Sequence, residues 1–90
     1  MDAQQIAIDR ARRDLAQRLG IQESEVSLRS IAQVDFPDAA LGAATEDEMS
    51  AQVITPGWRI QLEAQGNSYE YRAAGKALRL YNFNGKNYKL

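Results

Sequence analysis

Apolar residues recur along this chain at two spacings. From Ala3 to Leu19 they fall three or four positions apart. Ala3, Ile6, Ala7, Ala11, Leu15 and Leu19 form the stripe, widened by Ile8 and Ala16, and this is the pattern of one amphipathic helix. Asp2 stands where a helix N-cap is wanted and Gly20 where a helix ends in the left-handed conformation, so the spacing predicts a helix of roughly 16 residues. The opposite side carries Gln5, Asp9, Arg10, Arg12, Arg13 and Gln17. Acidic residues among the arginines, and small alanines on the apolar side, make this a solvated face rather than a membrane-binding one.

After Gly20 the period changes to two. Val26, Leu28, Ser30, Ala32, Val34 and Phe36 alternate with more polar neighbours, while Ile31 falls on the wrong side, the sign of a bulge or of a strand covered on both faces. Pro37 then removes an amide donor and ends the pairing. Gln52 to Thr55 reads as a second strand. Thr55-Pro56-Gly57-Trp58 reads as a tight turn with Gly57 at its left-handed third position, followed by a third strand in which Trp58, Ile60, Leu62 and Ala64 share a face. Gly66-Asn67, Gly75-Lys76 and Asn84-Gly85 are hairpin signals separating strands around Tyr69 to Ala73, "ALRLYNF" and "KNYKL". One helix and four to five sequential antiparallel strands, each apolar on one side, bury those sides only against one another. The predicted fold is a two-layer α+β sandwich, a single domain over residues 1–90.

Composition narrows the function. With 90 residues, 44% of them hydrophobic, there is material for one small core and no second domain. The 11 basic and 12 acidic residues nearly cancel, which leaves no net field to draw the chain to nucleic acid or anionic lipid. The N-terminal stretch has no apolar run of the length a signal peptide or membrane span needs, so a cytoplasmic monomer without membrane contact is expected. Cysteine and histidine are both absent. That removes disulfides, thiolate metal sites, the thiol nucleophile and the commonest general base together, and no cofactor is expected.

What chemistry remains lies in carboxylates and aromatics. Asp35 and Asp38 flank Phe36-Pro37, but paired-carboxylate hydrolysis needs a cleft that so small a domain has little room for, and turn or capping roles suffice for both. "TEDE", Thr45 to Glu48, lacks the ligand spacing and central glycine of a calcium loop. It reads instead as Thr45 capping a short helix whose first turn holds Glu46, Asp47 and Glu48, with Met49 docking. Charge is segregated. From Asp35 to Glu48 stand Asp35, Asp38, Glu46, Asp47 and Glu48 and no basic residue, and from Trp58 to Leu90 stand Arg59, Arg72, Lys76, Arg79, Lys86 and Lys89 against Glu63 and Glu70, interleaved with Tyr69, Tyr71, Tyr81, Phe83 and Tyr88. This could be a stacking platform for single-stranded nucleic acid, but alternate aromatics are also what a sheet core needs.

The least generic stretch is "DAALGAATEDEMSAQVITPGWRI", Asp38 to Ile60. Together with the "Tyr-x-Tyr" of Tyr69 and Tyr71, it resembles a small bacterial domain family of unknown function with the pattern Asp-x-x-Leu-Gly, Thr-Pro-Gly-aromatic-Arg-Ile and Tyr-x-Tyr, a resemblance extending over about Ala11 to Arg72. It implies no activity. Relatives often carry cysteine where Ala43 stands and histidine where Arg72 stands, so disulfide or imidazole chemistry in them is closed to this chain. At fold level alone the arrangement is also similar to cystatin-like and PepSY-type modules, some of which bind peptidases. The resulting expectation is a non-catalytic protein or peptide interaction module. Its binding residues are sought among Asp38, Leu41, Glu46, Asp47, Glu48, Trp58 and Arg59, with nucleic-acid or small-molecule binding by the aromatic strands, or a peptidase-inhibitor-like role, as the alternatives.

Overall fold

In the computed structural model, which describes residues 2–90, the helix α1 runs Ala3–Leu19. Asp2 caps it by accepting a hydrogen bond from the Gln5 N–H at 2.8 Å, and Gly20 closes it at φ 68°. Ala7, Ile8, Ala11, Leu15 and Ala16 are buried, while Ala3 is exposed and Ile6 is 45% exposed. The expected stripe is therefore rotated. Ile6 lies nine positions before Leu15, which at about 100° per residue puts it on the opposite side of the helix. No helix among the described residues is long and apolar enough to cross a membrane.

A single 3-10 turn, Glu23–Glu25, leads into β1 (Ser27–Phe36), followed by β2 (Thr55–Ala64), β3 (Asn67–Ala74), β4 (Ala77–Phe83) and β5 (Lys86–Lys89). The strands lie side by side in chain order, all antiparallel, in one five-stranded sheet. Helix and sheet form the expected two-layer α+β architecture.

Ile31 is explained by a bulge. Leu28 pairs with Leu62 and Ser30 with Gln61, leaving Arg29 as the extra residue; Leu28 and Ile31 thereby share the face of Leu62 and Ile60. Asn84 and Gly85 turn the last hairpin with φ 53° and 83°, as the dipeptide suggests. The hairpin expected at Gly66-Asn67 turns one residue earlier, at Gln65-Gly66, whose φ values are 54° and 79°.

Two expectations fail around Pro56. Residues 52–54 form no strand, with Val53 and Ile54 exposed, and Thr55-Pro56-Gly57-Trp58 is no turn but the start of β2. Phe36 pairs with Thr55 and Asp35 with Pro56, whereas β3 begins to pair only at Trp58. Proline is tolerated there because one side of that segment has no strand to receive an amide. Gly57 is required for a steric reason instead of a conformational one: a Cβ would run into the carbonyl oxygen of Ala73 on β3.

The pairing divides the sheet into two faces. Ile60, Leu62, Ala64, Tyr71, Ala73, Leu78 and Leu80 face α1 and make the main core with Leu15, Ala11 and Val26. The other face carries Arg59, Gln61, Glu70, Arg72, Arg79 and Tyr81. It is covered in part by the connection 37–54.

Candidate functional site

The connection between β1 and β2 is built from its own backbone outward. Asp38 Oδ1 accepts hydrogen bonds from the Ala40 N–H at 2.9 Å and the Gly42 N–H at 3.0 Å, which curls the chain tightly after Pro37. Leu41 and Gly42 both adopt left-handed conformations, φ 60° and 65°. The carbonyls of both are thereby turned onto Arg72, whose Nη1 donates to Leu41 O at 3.0 Å and Gly42 O at 3.1 Å. A Cβ at Gly42 would come within 2.8 Å of that nitrogen, so glycine is needed twice over. Ala40, Leu41 and Ala43 are fully buried and Phe36 nearly so, a second small apolar cluster under the loop.

Two arginines receive the loop. Arg72 donates through Nε to Glu70 at 2.7 Å, and its guanidinium lies 3.8 Å from the centre of the Tyr81 ring and 5.6 Å from that of Phe36. Arg79 is 5% exposed and grips both carboxylate oxygens of Glu48 with its two terminal nitrogens. Ala43 O accepts from the same guanidinium, and Arg79 Nε is buried with no partner among the described residues. The Glu48 carboxyl is held down to about 2, chiefly by the Arg79 hydrogen bonds and next by the Thr45 N–H, which donates to it at 3.0 Å. Asn87 on β5 adds a hydrogen bond to Ala44 O at 2.9 Å.

The segregated charges noted in the sequence thus meet inside one molecule. Acidic Glu48 and the loop carbonyls are received by Arg72 and Arg79. No short helix follows Thr45; a turn forms, Glu46 and Asp47 point to solvent, and Met49, expected to dock, is 97% exposed. Of the sequence-derived candidates, Asp38, Leu41 and Glu48 are occupied in shaping and docking the loop.

Trp58 and Arg59 part company. As neighbours on a strand they point to opposite faces. Arg59 lies on the loop side, with Nε 3.3 Å from Glu70 Oε2, whereas Trp58 lies on the helix side, half-buried against the core. Trp58 pairs with Gln33 and Ala73. With Gln33, Asp35, Pro56 and Gly75 it lines an open groove at the corner where β1 ends and β2 begins. Asp35 is exposed and makes no ion pair among the described residues. Gln33 escaped the sequence reading of the site, and Asp35, read there as a turn or capping residue, is instead an exposed strand residue of β1 paired with Pro56. Their signal was their place, two apart on an edge strand facing a tryptophan, and it appears only once the register is known.

The aromatic residues of the later strands are used elsewhere. Tyr69, Phe83 and Tyr88 pack against the helix-side core. Arg18 of α1 lies 4.5 Å from the centre of the Tyr88 ring and 5.8 Å from that of Phe83, and Asp14 accepts hydrogen bonds from Arg18 Nε and the Tyr71 hydroxyl, both at 2.7 Å. Burial and the adjacent Asp14 carboxylate push the Tyr71 hydroxyl far up from its ordinary pKa, so it stays protonated and donates.

The chain belongs to a family of domains of unknown function: the family model described as a domain of unknown function (DUF8738) matches residues 8–80. That span runs from Ile8 in α1 to Leu80 in β4 and includes the docked loop and the Trp58 groove. No curated protein and no solved structure matches the chain.

Proposed function

We propose that this chain is a non-catalytic interaction module of the cytoplasm that takes a protein or peptide partner at the corner groove beside Trp58. The observation that carries the reading is the groove itself. A half-buried tryptophan forms its wall, a carboxylate with no ion pair among the described residues and an amide flank it, and it sits on the paired strands β1 and β2. A large aromatic ring with a few polar groups around it is the composition of binding hot spots. Catalysis finds less support, since Asp38 spends its carboxylate on loop amides and the chain has neither histidine nor cysteine. Nucleic acid also finds less support, because Tyr69, Phe83 and Tyr88 pack under the helix while Arg72 and Arg79 hold the loop.

The test is co-purification from the source organism after chemical crosslinking. Wild type is compared with Trp58→Ser and with the loop variant Glu46→Lys/Asp47→Lys, each verified as folded by circular dichroism. A partner retained by wild type and by the loop variant but lost from Trp58→Ser supports the groove. Equal retention by a folded Trp58→Ser protein overturns it, and loss only from the loop variant moves the site to the exposed carboxylates.

A further inference from the structure

We infer that the groove recognises an extended peptide segment carrying a basic residue, added as a new strand on the open edge of β1; this rests on the interaction reading above and names the partner's chemistry. The two edges of the sheet differ. β5 spans only Lys86–Lys89, has an irregular register with β4 and ends in lysines, all devices that discourage strand addition. β1 spans Ser27–Phe36 and pairs with β2 without a break from Ser30 to Phe36. No backbone hydrogen bond joins it to any described element other than β2. It carries no lysine, and its one arginine, Arg29, sits at the bulge and bonds Glu63 at 2.7 Å. The regular half of β1 is therefore an unprotected template for another strand, which would gain main-chain hydrogen bonds irrespective of its sequence.

Specificity then comes from side chains. A strand added to β1 places alternate residues on the two faces. On the loop face they meet Ser30, Ala32 and Val34, which are small or of moderate size and uncharged. On the helix face they meet Ile31, which is partly buried on the core, and then Gln33 and Asp35, with Trp58 directly behind Gln33. An arginine or lysine there finds a carboxylate free of other ion pairs among the described residues and an amide acceptor, with the half-buried indole one strand further in, a combination that favours a cation over an acidic residue. Lys76 follows Gly75 in the β3–β4 turn, and Arg10 of α1 reaches it, its Nη1 donating to Lys76 O at 2.9 Å. Neither cation lines the groove, whose charged lining residue among the described residues is Asp35.

Trp58 is the one tryptophan in the chain, so its fluorescence reports the groove directly. The probes are short acetylated and amidated peptides of alternating threonine and valine with a single central arginine or, in a second peptide, glutamate. The arginine peptide is expected to shift Trp58 emission and to bind at least about tenfold more tightly than the glutamate peptide. Asp35→Asn should abolish that preference, and N-methylation of alternate peptide amides, which blocks strand pairing, should abolish binding. Equal affinity for the two peptides, or a preference that survives Asp35→Asn, overturns the basic specificity while the interaction reading stands. Undiminished binding of the N-methylated peptide overturns strand addition. Silence of Trp58 toward both peptides overturns this inference whole, and the crosslinked partner's dependence on Trp58 decides separately whether the interaction reading survives.

Discussion

Gly57 and Gly75 lie within the same corner of the sheet and need glycine for different reasons. Gly75 turns the β3–β4 hairpin at φ 57° with open space around it, so Gly75→Ala should cost about 1–2 kcal/mol for the left-handed conformation and no more. Gly57 lies in extended backbone, and the added methyl of Gly57→Ala would strike Ala73 O and touch the Ala74 side chain at 3.0 Å. Strands β2 and β3 must part to admit it, a cost of roughly 1–3 kcal/mol by the ordinary penalty for overpacking. Urea unfolding of the two variants separates the cases, for Gly57→Ala should also disturb Trp58 emission while Gly75→Ala should not. A Gly57→Ala protein as stable as wild type would mean that this corner is loose.

At the scale of elements, the loop 37–54 behaves as a small third layer fastened by ions. The Glu48 carboxyl is depressed from 4.5 to about 2, so its contribution to docking is complete above about pH 4.5 and is lost as the pH falls through about 2. The Thr45 amide proton, bonded to Glu48, reports this directly: its NMR shift should step in that window, and the step should vanish in Glu48→Gln. The helix and the hairpins were legible in the sequence, because caps, left-handed glycines and the two periods are local signals. The loop was only half legible. Asp38 and Gly42 betray their turn chemistry, but the arginines that receive them stand on strands far along the chain, and only the segregation of charge hinted that the two would meet. Val53-Ile54 misled for the opposite reason: β-branched residues look like a strand, yet no neighbour is there to pair with them. Trp58 and Arg59 looked like one site because they are adjacent, and the period of two puts them on opposite faces.

On the scale of the whole molecule, one sheet is covered by unlike materials, an apolar helix on one side and an arginine-held loop on the other. The helix should dominate stability. Leu15 is fully buried and Leu19 only partly, so Leu15→Ala is expected to cost about 2–5 kcal/mol and Leu19→Ala distinctly less, measured by chemical denaturation. A loss below about 1 kcal/mol for both would remove α1 as the second layer.

The strand order, which simply follows the chain, also sets a timetable. The β2–β3, β3–β4 and β4–β5 pairs each close across a two-residue turn, whereas β1 reaches β2 only after the long connection 37–54 has been gathered in. Closure entropy rises with the length of chain enclosed, so the meander from β2 to β4 is expected to assemble first and β1 with its loop to arrive late. In stopped-flow experiments a substitution in the β2–β3 hairpin, such as Leu62→Ala, should slow refolding, while Glu48→Gln should mainly hasten unfolding. The strand expected to arrive last is the long edge strand, whose outer main-chain groups pair with no other described strand, so β1 carries those unpaired groups during folding as it does afterwards.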